Sequence, residues 1–334
     1  MCVEYILSSY LSFDEYAPIR SNINFFMDLF MKYTAWFTAI LVLLTNTAIF
    51  ADEKQATNPT TVQENLKNIE KVAQIKIGVY AIDTNTNQRI AYRADEYFPV
   101  QSTLKLIAVG ALFKQSDTQK QLLEQTIYYT RNEVNTWGWH PITGQYIDTG
   151  MTLKALAGAA ITYSDNPAAN LIIKQLGGSK AITAFAHSMG NDSFNLEHYD
   201  GADLNSNPNK SLDSATPKDM AISVYKLTLS HLLTPSQRAL LVGWMQNNTV
   251  GYKRIRAGVP NGWTVADKTG SGDYGIANDI GIVWSPVCKP IVLAIYTVGD
   301  QPEAGQREDL IGLTTKMVLN EFATTDSCFS SLSS

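Results

Sequence analysis

The chain has 334 residues, of which 45% are hydrophobic, and a formal net charge of −5. This length and composition suit one large soluble domain or two intimately joined ones. Because 26 Lys and Arg stand against 31 Asp and Glu, with no basic run, we expect no binding to nucleic acid.

The N-terminal segment differs in character from the rest of the chain. Met31-Lys32 precedes an apolar run that ends at Ala51, and this pattern predicts a secretory signal peptide over residues 31–51. Cleavage after Ala51 would leave residues 52–334 as a periplasmic or secreted protein without stable membrane association. An uncleaved membrane anchor is the alternative. Since residues 1–30 would bury the signal inside the chain, we interpret them as a mis-called extension.

Further along the chain, hydrophobic periodicity predicts a series of elements. A helix is predicted over Thr61–Ala73, followed by a β-hairpin of strands Ile75–Asp83 and 89–93. A helix that is apolar on most sides then begins near Ser102. The later predicted elements are helices over 152–163, 167–176, 179–189 and 216–230, strands over 263–271, 276–284 and 290–298, and a helix over 305–322.

This order of elements predicts the fold class. Five strands with short connections favour an α+β fold, in which one antiparallel sheet made from both chain ends carries packed helices. The sheet lobe would comprise about residues 60–97 and 255–325, and an all-helical lobe, about 98–254, would be inserted between them. A small-molecule site is expected in the cleft between the lobes. The polar, aperiodic residues 191–215 are predicted to be a functional or disordered loop.

Cysteine and histidine content limits the chemistry. Residues 52–334 contain two cysteines, Cys288 and Cys328. An oxidising compartment would allow them to pair, but two free thiols are equally compatible with the sequence, since spacing along the chain says nothing about distance. The four histidines are scattered without ligand spacing. We therefore predict no metal and no other cofactor.

The first motif that carries chemistry is Ser102-Thr103-Leu104-Lys105. Ser102 or Thr103 is a good N-cap for the apolar helix, and Lys105 lies three residues after Ser102, on the same helical face. A helix N-terminus favours developing negative charge, and an amine one turn away can take a hydroxyl proton. The alternative is a capping serine followed by an ordinary lysine.

The second motif is Ser164-Asp165-Asn166, in the turn between two predicted helices. Asn166 is predicted to be the N-cap and Pro167 the first helical residue of the second helix. Such residues also begin helices that have no function, so this motif alone is weak evidence.

The third motif is Lys268-Thr269-Gly270, inside a predicted strand. Lysine and glycine are poor residues for a strand interior, and glycine there often marks the close approach of another backbone. The alternative is an edge strand that is protected by its lysine.

Together, in this order, the three motifs are those of class A β-lactamases and penicillin-binding proteins. The chain resembles class A serine β-lactamases over most of residues 70–323, and especially the branch that contains serine carbapenemases. The stretches that carry the class A resemblance are 98–99, 139–141, 148–152, 163–170 and 263–275, and those that especially resemble that branch are 275–279 and 290–297. The resemblance implies a serine β-lactamase fold and the hydrolysis of β-lactam antibiotics through an acyl-enzyme, which gives resistance. We expect a monomer with small-molecule β-lactam substrates.

The resemblance also implies roles in acylation. Ser102 would be the nucleophile, and Lys105 would activate it directly or through a water. Ser164 would pass a proton to the departing ring nitrogen, aided by Lys268. The backbone N–H groups of Ser102 and Ser271 would form an oxyanion hole.

Substrate-binding roles follow from the same resemblance. Asn166 would bind the acylamino side chain of the substrate. The hydroxyls of Thr269 and Ser271, on either side of Gly270, would hold the substrate carboxylate together with Arg254. Trp139 would line the mouth of the cleft. The alternatives are a solvated surface charge for Arg254 and a partly buried core indole for Trp139.

The long loop departs from the family pattern, which is Glu-x-x-Leu-Asn with the glutamate positioning the deacylating water. Counting forward from Gly190 puts Asp200 at that position, whereas counting back from Leu204-Asn205 puts Gly201 there. We choose Asp200 as the deacylation base; the competing residues are Glu197 and Asp203. Aspartate is one methylene shorter, and a displacement of about 1 Å can cost on the order of a hundredfold in rate. Deacylation is therefore expected to be slow unless the loop moves inward.

Two further departures concern ties around the site. The family closes the loop with an arginine–aspartate pair, and His198 and Asp213 stand at the corresponding positions, so this tie should be weaker and pH-dependent. Members of the carbapenemase branch carry a disulfide where Gln101 and Gly272 stand here.

The competing functions are a penicillin-binding D,D-peptidase and a non-catalytic binder of β-lactams or cell-wall peptides.

Overall fold

The structure is a computed structural model, and it describes residues 61–199, 206–208 and 212–330. The predictions for residues 1–60, including the signal peptide over residues 31–51, lie outside the described residues. In the described part of the chain, no helix has both the length and the apolar character that crossing a membrane requires.

The elements follow one another along the chain much as the sequence predicts. The helices are α1 (Thr61–Ala73), α2 (Leu104–Ser116), α3 (Arg131–Trp137), α4 (Leu153–Thr162), α5 (Asn166–Gln175), α6 (Ser179–Ser188), α7 (Pro217–Thr228), α8 (Pro235–Gln246), α9 (Ile255–Gly258), α10 (Glu308–Thr325) and α11 (Ser327–Ser330). The strands are β1 (Ile75–Asp83), β2 (Arg89–Tyr92), β3 (Phe98–Pro99), β4 (Thr126–Ile127), β5 (Met151–Thr152), β6 (Ser214–Ala215), β7 (Thr264–Ser271), β8 (Ala277–Trp284) and β9 (Ile291–Gly299). The predicted bounds of α1 and β1 are confirmed, and the other predicted elements are shifted by a few residues at most.

The main sheet has five strands in the order β2-β1-β9-β8-β7, and all neighbours are antiparallel. β1 and β9 pair along their whole length, from Ile75↔Gly299 to Asp83↔Ile291, so distant parts of the chain meet in the middle of the sheet. Apolar clusters cover both faces, one around Tyr296 and the other around the residues of α1 and α10. The predicted α+β fold, with one antiparallel sheet and an inserted helical lobe, is confirmed.

Helix α2 lies at the centre of the helical lobe. Every residue from Leu104 to Phe113 is buried, as the apolar pattern on most sides predicts. Helix α7 packs so closely on α2 that a Cβ on Gly110 would lie 2.6 Å from a methyl of Leu227. The ring of Phe113 stacks on that of Trp244 in α8, with centroids 5.8 Å apart. The helix is therefore fixed from several sides.

Two predicted helix starts are wrong in detail. Asp165 rather than Asn166 is the N-cap of α5, because its carboxylate accepts the Ala168 N–H at 2.9 Å. Thr103 occupies the N-cap position of α2 but makes no capping bond. Its hydroxyl instead donates to the Val100 carbonyl at 2.6 Å. Both side chains are used to shape the turns that precede these helices.

Cys288 and Cys328 form a disulfide, with Cα atoms 5.8 Å apart. The sequence left pairing and free thiols open, and the fold brings the two residues together. Cys288 lies in the turn between β8 and β9, and Cys328 lies in α11. Phe329 of the same helix packs its ring 5.6 Å from that of Trp263. The disulfide thus ties the last helix of the described chain to the sheet.

Candidate active site

Ser102 lies on a turn that the sheet supports from behind. Strand β3 pairs with β6, and a 3₁₀ turn, Gln101–Thr103, then leads into α2. Ser102 therefore precedes α2 and does not cap it. The buried hydroxyl of Thr103 lies 2.9 Å from the phenol of Tyr296 on β9, which fixes this turn against the middle of the sheet.

Lys105 is fully buried in the first turn of α2. Its Nζ donates to Ser102 Oγ at 3.0 Å, to Asn166 Oδ1 at 2.8 Å, and to the carbonyl and Oγ of Ser164 at 2.7 and 3.1 Å. A buried polar side chain needs hydrogen-bond partners, and these oxygens supply them. The first and second sequence motifs therefore meet at one amine.

Ser164 is held in a left-handed conformation, with φ of 55°, in the turn between α4 and α5. Such a conformation is strained for serine and needs support from its surroundings. The buried carboxylate of Asp165 supplies it, since it accepts hydrogen bonds from the N–H groups of Ile142, Thr143 and Ala168 and from the Thr143 hydroxyl. Sequence reasoning gave Asp165 no role, although the residue stands inside the motif.

Lys268 brings the third motif to the same place. Its side chain is fully buried, and Nζ donates to Ser164 Oγ at 3.0 Å and to the Thr269 carbonyl at 2.8 Å. Strand β7 is an edge strand, but a buried lysine cannot protect an exposed edge, so that alternative is wrong. The Ser164 hydroxyl lies between the amines of Lys105 and Lys268.

Gly270 allows β7 to approach the nucleophile turn. A Cβ at this position would lie 3.0 Å from the Val100 carbonyl oxygen, 3.0 Å from Gln101 Cβ and 3.3 Å from Ser102 N. The predicted close approach of another backbone is confirmed, and Ser271 at the end of the strand is brought beside the turn.

Arg254 is buried beneath the end of β7, with 3% of its surface exposed. Its Nη2 donates to Ser271 Oγ at 2.6 Å, and its Nη1 donates to the carbonyls of Gly270 and Asn278, each at 2.8 Å. Its Nε donates to Glu308 Oε1 at 2.9 Å. The alternative of a solvated surface charge is wrong. Glu308 carries no local sequence signal for this role, because it is brought in by α10.

Trp139 stands at the rim of the site with 60% of its surface exposed, so it is not a core indole. Its Nε1 donates to the Tyr163 carbonyl at 3.0 Å, which fixes the ring beside the Ser164 turn. The Asn166 N–H donates to the Trp139 carbonyl at 2.9 Å, and Asn166 Nδ2 donates to the Trp137 carbonyl at 3.2 Å. One side of the site is therefore a connected network.

These residues border a cleft of about 600 Å³, a volume that suits a small ligand. Its lining comprises Ser102, Trp139, Ser164, Asn166, Thr249, Val250, Gly251, Tyr252, Lys253, Arg254, Thr269, Ser271, Gln306 and Glu308. Tyr252, 65% exposed, and Gln306 were not predicted, because they lie outside the motifs.

Two fully buried carboxylates lie behind the site. Asp267 accepts hydrogen bonds from Arg256 Nε at 2.8 Å and Asn248 Nδ2 at 2.7 Å. Asp279 accepts the Ile255 N–H at 3.1 Å through one oxygen, and its other oxygen has no hydrogen-bond partner among the described residues. Burial raises the pKa of Asp279 well above its usual range, and the charge of Asp267 raises it further.

The loop tie predicted from the sequence is present. His198 Nδ1 lies 2.7 Å from Asp213 Oδ2, and the N–H groups of Glu197 and His198 donate to Asp213 Oδ1 at 2.8 and 3.0 Å. The Asp213 carbonyl accepts the Val100 N–H at 2.9 Å. The loop is therefore closed and attached to the strand before the nucleophile.

Of the three candidate deacylation bases, Glu197 is the one that lies within the described residues. Asp200 and Asp203 lie outside the described residues, so their assignment stays a prediction. Glu197 is exposed, and its carboxylate contacts the Asn195 amide at 3.5 Å. In the described ranges, no group of three or more His, Cys, Asp and Glu side chains could hold a metal ion.

Comparisons with known proteins agree with this geometry. A family model described as the beta-lactamase enzyme family matches residues 61–322. The chain is 45% identical over 268 residues to Beta-lactamase 3 of Bacillus cereus, covering 79% of this chain and 84% of that protein. It is 38% identical over 287 residues to a β-lactamase of Citrobacter koseri, covering 86% and 97%.

Solved structures show the same similarity in three dimensions. A β-lactamase from Desulfarculus baarsii has a TM-score of 0.77 and 38% identity, covering 80% of this chain and 99% of its own. A class A β-lactamase from Clostridium kluyveri has a TM-score of 0.74 and 38% identity, covering 78% and 98%. The similarity extends over nearly the whole length of both relatives.

Proposed function

Because this chain belongs to the class A serine β-lactamase family and hydrolyses β-lactams, we propose that it does so through an acyl-enzyme on Ser102. The hydroxyl oxygen attacks the ring carbonyl carbon, and the ring C–N bond breaks as the ester forms. Water then cleaves the ester and restores the serine. The observation that carries this proposal is the Ser164 hydroxyl, which lies within hydrogen-bond reach of both Lys105 and Lys268, with Lys105 also 3.0 Å from Ser102 Oγ.

The proton path follows from these contacts. As a free amine, Lys105 accepts the proton of Ser102 when the hydroxyl attacks. Ser164 donates its own proton to the departing ring nitrogen and is resupplied by Lys105 or Lys268. The left-handed turn at Ser164 supports this role, since it places one hydroxyl between two amines.

Substrate contacts are proposed at both ends of the cleft. Asn166 binds the carbonyl of the acylamino side chain through Nδ2, while its Oδ1 receives Lys105. Thr269 and Ser271 bind the substrate carboxylate, and Arg254 acts from below through its bond to Ser271 Oγ. The N–H groups of Ser102 and Ser271 stabilise the developing oxyanion.

Deacylation is assigned to a carboxylate of the loop that His198 and Asp213 close. We propose Asp200, which activates the water that attacks the Ser102 ester. The family's usual glutamate is one methylene longer, so the acyl-enzyme should be longer-lived here than in relatives that carry glutamate.

We also propose that the protein is exported to the periplasm or the medium, and that it acts there as a monomer. The support for export is the signal-peptide pattern over residues 31–51, and the mature enzyme would consist of residues 52–334. N-terminal sequencing of the exported protein and its elution volume in gel filtration test these two points.

Nitrocefin kinetics test the mechanism. Residues 52–334 should show steady turnover, Ser102→Ala should show none, and Ser188→Ala, a change at an exposed serine of α6, should match wild type. Hydrolysis that survives Ser102→Ala would refute the acyl-enzyme proposal. A single acylation without turnover would assign the protein to the penicillin-binding class, and no reaction would make it a binder.

A second experiment identifies the deacylation base. Asp200→Asn should stop turnover and accumulate an acyl-enzyme that intact-mass spectrometry detects. Glu197→Gln should leave turnover within about twofold, because its carboxylate contacts Asn195. Accumulation in Glu197→Gln instead would reassign the base.

A further inference from the structure

Gln101, the residue before the nucleophile, is strained and buried. Its φ is 47° and only 5% of its surface is exposed. A non-glycine residue adopts this left-handed conformation only where its surroundings hold it there. A buried amide also needs hydrogen-bond partners. The contacts of Gln101 should therefore explain why a glutamine stands at this position.

The amide of Gln101 reaches the long loop. Its Nε2 donates to Ser206 Oγ at 3.0 Å. Gly272, just beyond β7, lies directly against this bond, since a Cβ there would come within 2.8 Å of both Gln101 Cδ and Ser206 Oγ. Gly270 packs on the same residue, because its added Cβ would lie 3.0 Å from Gln101 Cβ. The nucleophile turn, the end of β7 and the loop therefore meet at Gln101.

Ser206 occupies a particular position in the loop. The described attachments of the loop ends are the His198–Asp213 pair, the Val100–Asp213 bond and the bridge between Asn195 and Ser214. Ser206 stands eight residues after His198 and seven before Asp213, midway between these end attachments. The bond from Gln101 therefore attaches the loop to the nucleophile turn at a point between its two ends.

We propose that Gln101 is a positioning residue for deacylation, and that its amide holds the loop at Ser206 at a fixed distance from Ser102. The inference rests on the proposed function, in which a loop carboxylate activates the deacylating water. Gln101 touches neither substrate nor the reacting atoms in this account. Because a displacement of about 1 Å can cost on the order of a hundredfold, loss of the bond should slow attack on the ester. Lys105 Nζ contacts Ser102 Oγ directly at 3.0 Å, so acylation should be preserved.

Three single variants separate this role from a structural one. Gln101→Met keeps the length of the side chain and removes the donor, and Ser206→Ala removes the acceptor. Gln101→Asn is too short to reach Ser206, but asparagine tolerates the left-handed conformation better than glutamine does. A purely structural role therefore predicts that Gln101→Asn is at least as active as wild type, whereas positioning through Ser206 predicts slow deacylation.

Stopped-flow kinetics with nitrocefin give the rate of acylation. Steady-state turnover, together with intact-mass detection of the acyl-enzyme, gives the rate of deacylation. Thermal unfolding shows that each variant is folded. We expect the rate of deacylation to fall about tenfold or more in all three variants, and the rate of acylation to stay within about threefold of wild type. The double variant Gln101→Met with Ser206→Ala should deacylate no more slowly than either single variant. If Gln101→Met does not fold, Ser206→Ala carries the test.

The inference is overturned if deacylation in Ser206→Ala stays within twofold of wild type, if acylation falls as far as deacylation, or if the effects of the two changes multiply in the double variant. Failure of the proposed function looks different, because wild type itself would then form no acyl-enzyme on Ser102.

Discussion

Replacement of Arg254 by alanine tests how the carboxylate end of the cleft works. The guanidinium lies beneath Ser271 and donates to its Oγ at 2.6 Å, to two backbone carbonyls and to Glu308. It does not stand in the cleft as a free cation. We therefore expect Arg254 to act mainly by orienting the Ser271 hydroxyl and by placing positive charge behind it.

The size of the effect follows from these contacts. A hydrogen bond to a charged group contributes about 1.5–3 kcal/mol, so KM for a penicillin should rise roughly 10- to 150-fold in Arg254→Ala. The rate kcat should change little, because the hydrogen bonds of Arg254 run to Ser271, to two backbone carbonyls and to Glu308. Two buried carbonyls lose their donor, which should lower the free energy of unfolding by about 2–6 kcal/mol in total.

Steady-state kinetics with benzylpenicillin and thermal unfolding check both values. Arg254→Lys keeps the charge but loses the planar fork, so its KM should lie between those of wild type and Arg254→Ala. The matched control is Arg307→Ala, since Arg307 is a half-exposed arginine that pairs with Asp309; it should leave KM unchanged. An unchanged KM in folded Arg254→Ala would refute the reasoning.

Three further predictions concern pH and stability. The raised pKa of Asp279 means that the folded state keeps a proton that the unfolded chain releases, so stability falls as pH rises from about 4 toward that pKa. Asp279→Asn should flatten this slope in urea unfolding, and an unchanged slope would contradict the assignment. The disulfide closes a separation of 40 residues and should stabilise by about 4 kcal/mol. Cys288→Ser should therefore lower Tm by about 8 °C, whereas equal Tm values would show that the link to Cys328 contributes nothing. His198 contacts Asp213 Oδ2 through its side chain and donates its N–H to Asp213 Oδ1, so amide exchange of the residue 198 N–H should be faster in His198→Ala than in wild type. His198→Arg should restore the protection, and equal exchange in wild type and His198→Ala would exclude a role for the tie.

Local patterns predicted the fold because they act over short distances. Alternation of apolar and polar residues identified the strands, and apolar residues three and four apart identified α1 and the apolar α2. The two patterns can be told apart because a strand and a helix repeat with different periods. The helix start at α5 was predicted wrongly because Asp165 is chosen by contacts with Ile142 and Thr143, more than twenty residues earlier, and propensity alone does not distinguish it from Asn166.

The sequence predicted the motif residues of the site, but it did not predict the residues that hold them in place. Spacing placed Ser102 and Lys105 on one helical face, but the burial of Arg254 depends on Glu308, which lies 54 residues away along the chain. The pairing of Cys288 with Cys328 likewise depends on the turn and helix that bring them together. Asp200 stays a prediction, because an insertion in the loop shifts the register on which its assignment rests.

The strand order β2-β1-β9-β8-β7 also constrains when the enzyme can form. The first strand of the sheet pairs with the last, so β1 and its hairpin partner must wait for β9 before the middle of the sheet exists. Such non-local pairing gives a high contact order and slow folding. A chain that leaves the ribosome from its N-terminus will have released Ser102 and Lys105 long before Lys268 and β9. The residues of the site therefore come together only after the last strand of the sheet has been made.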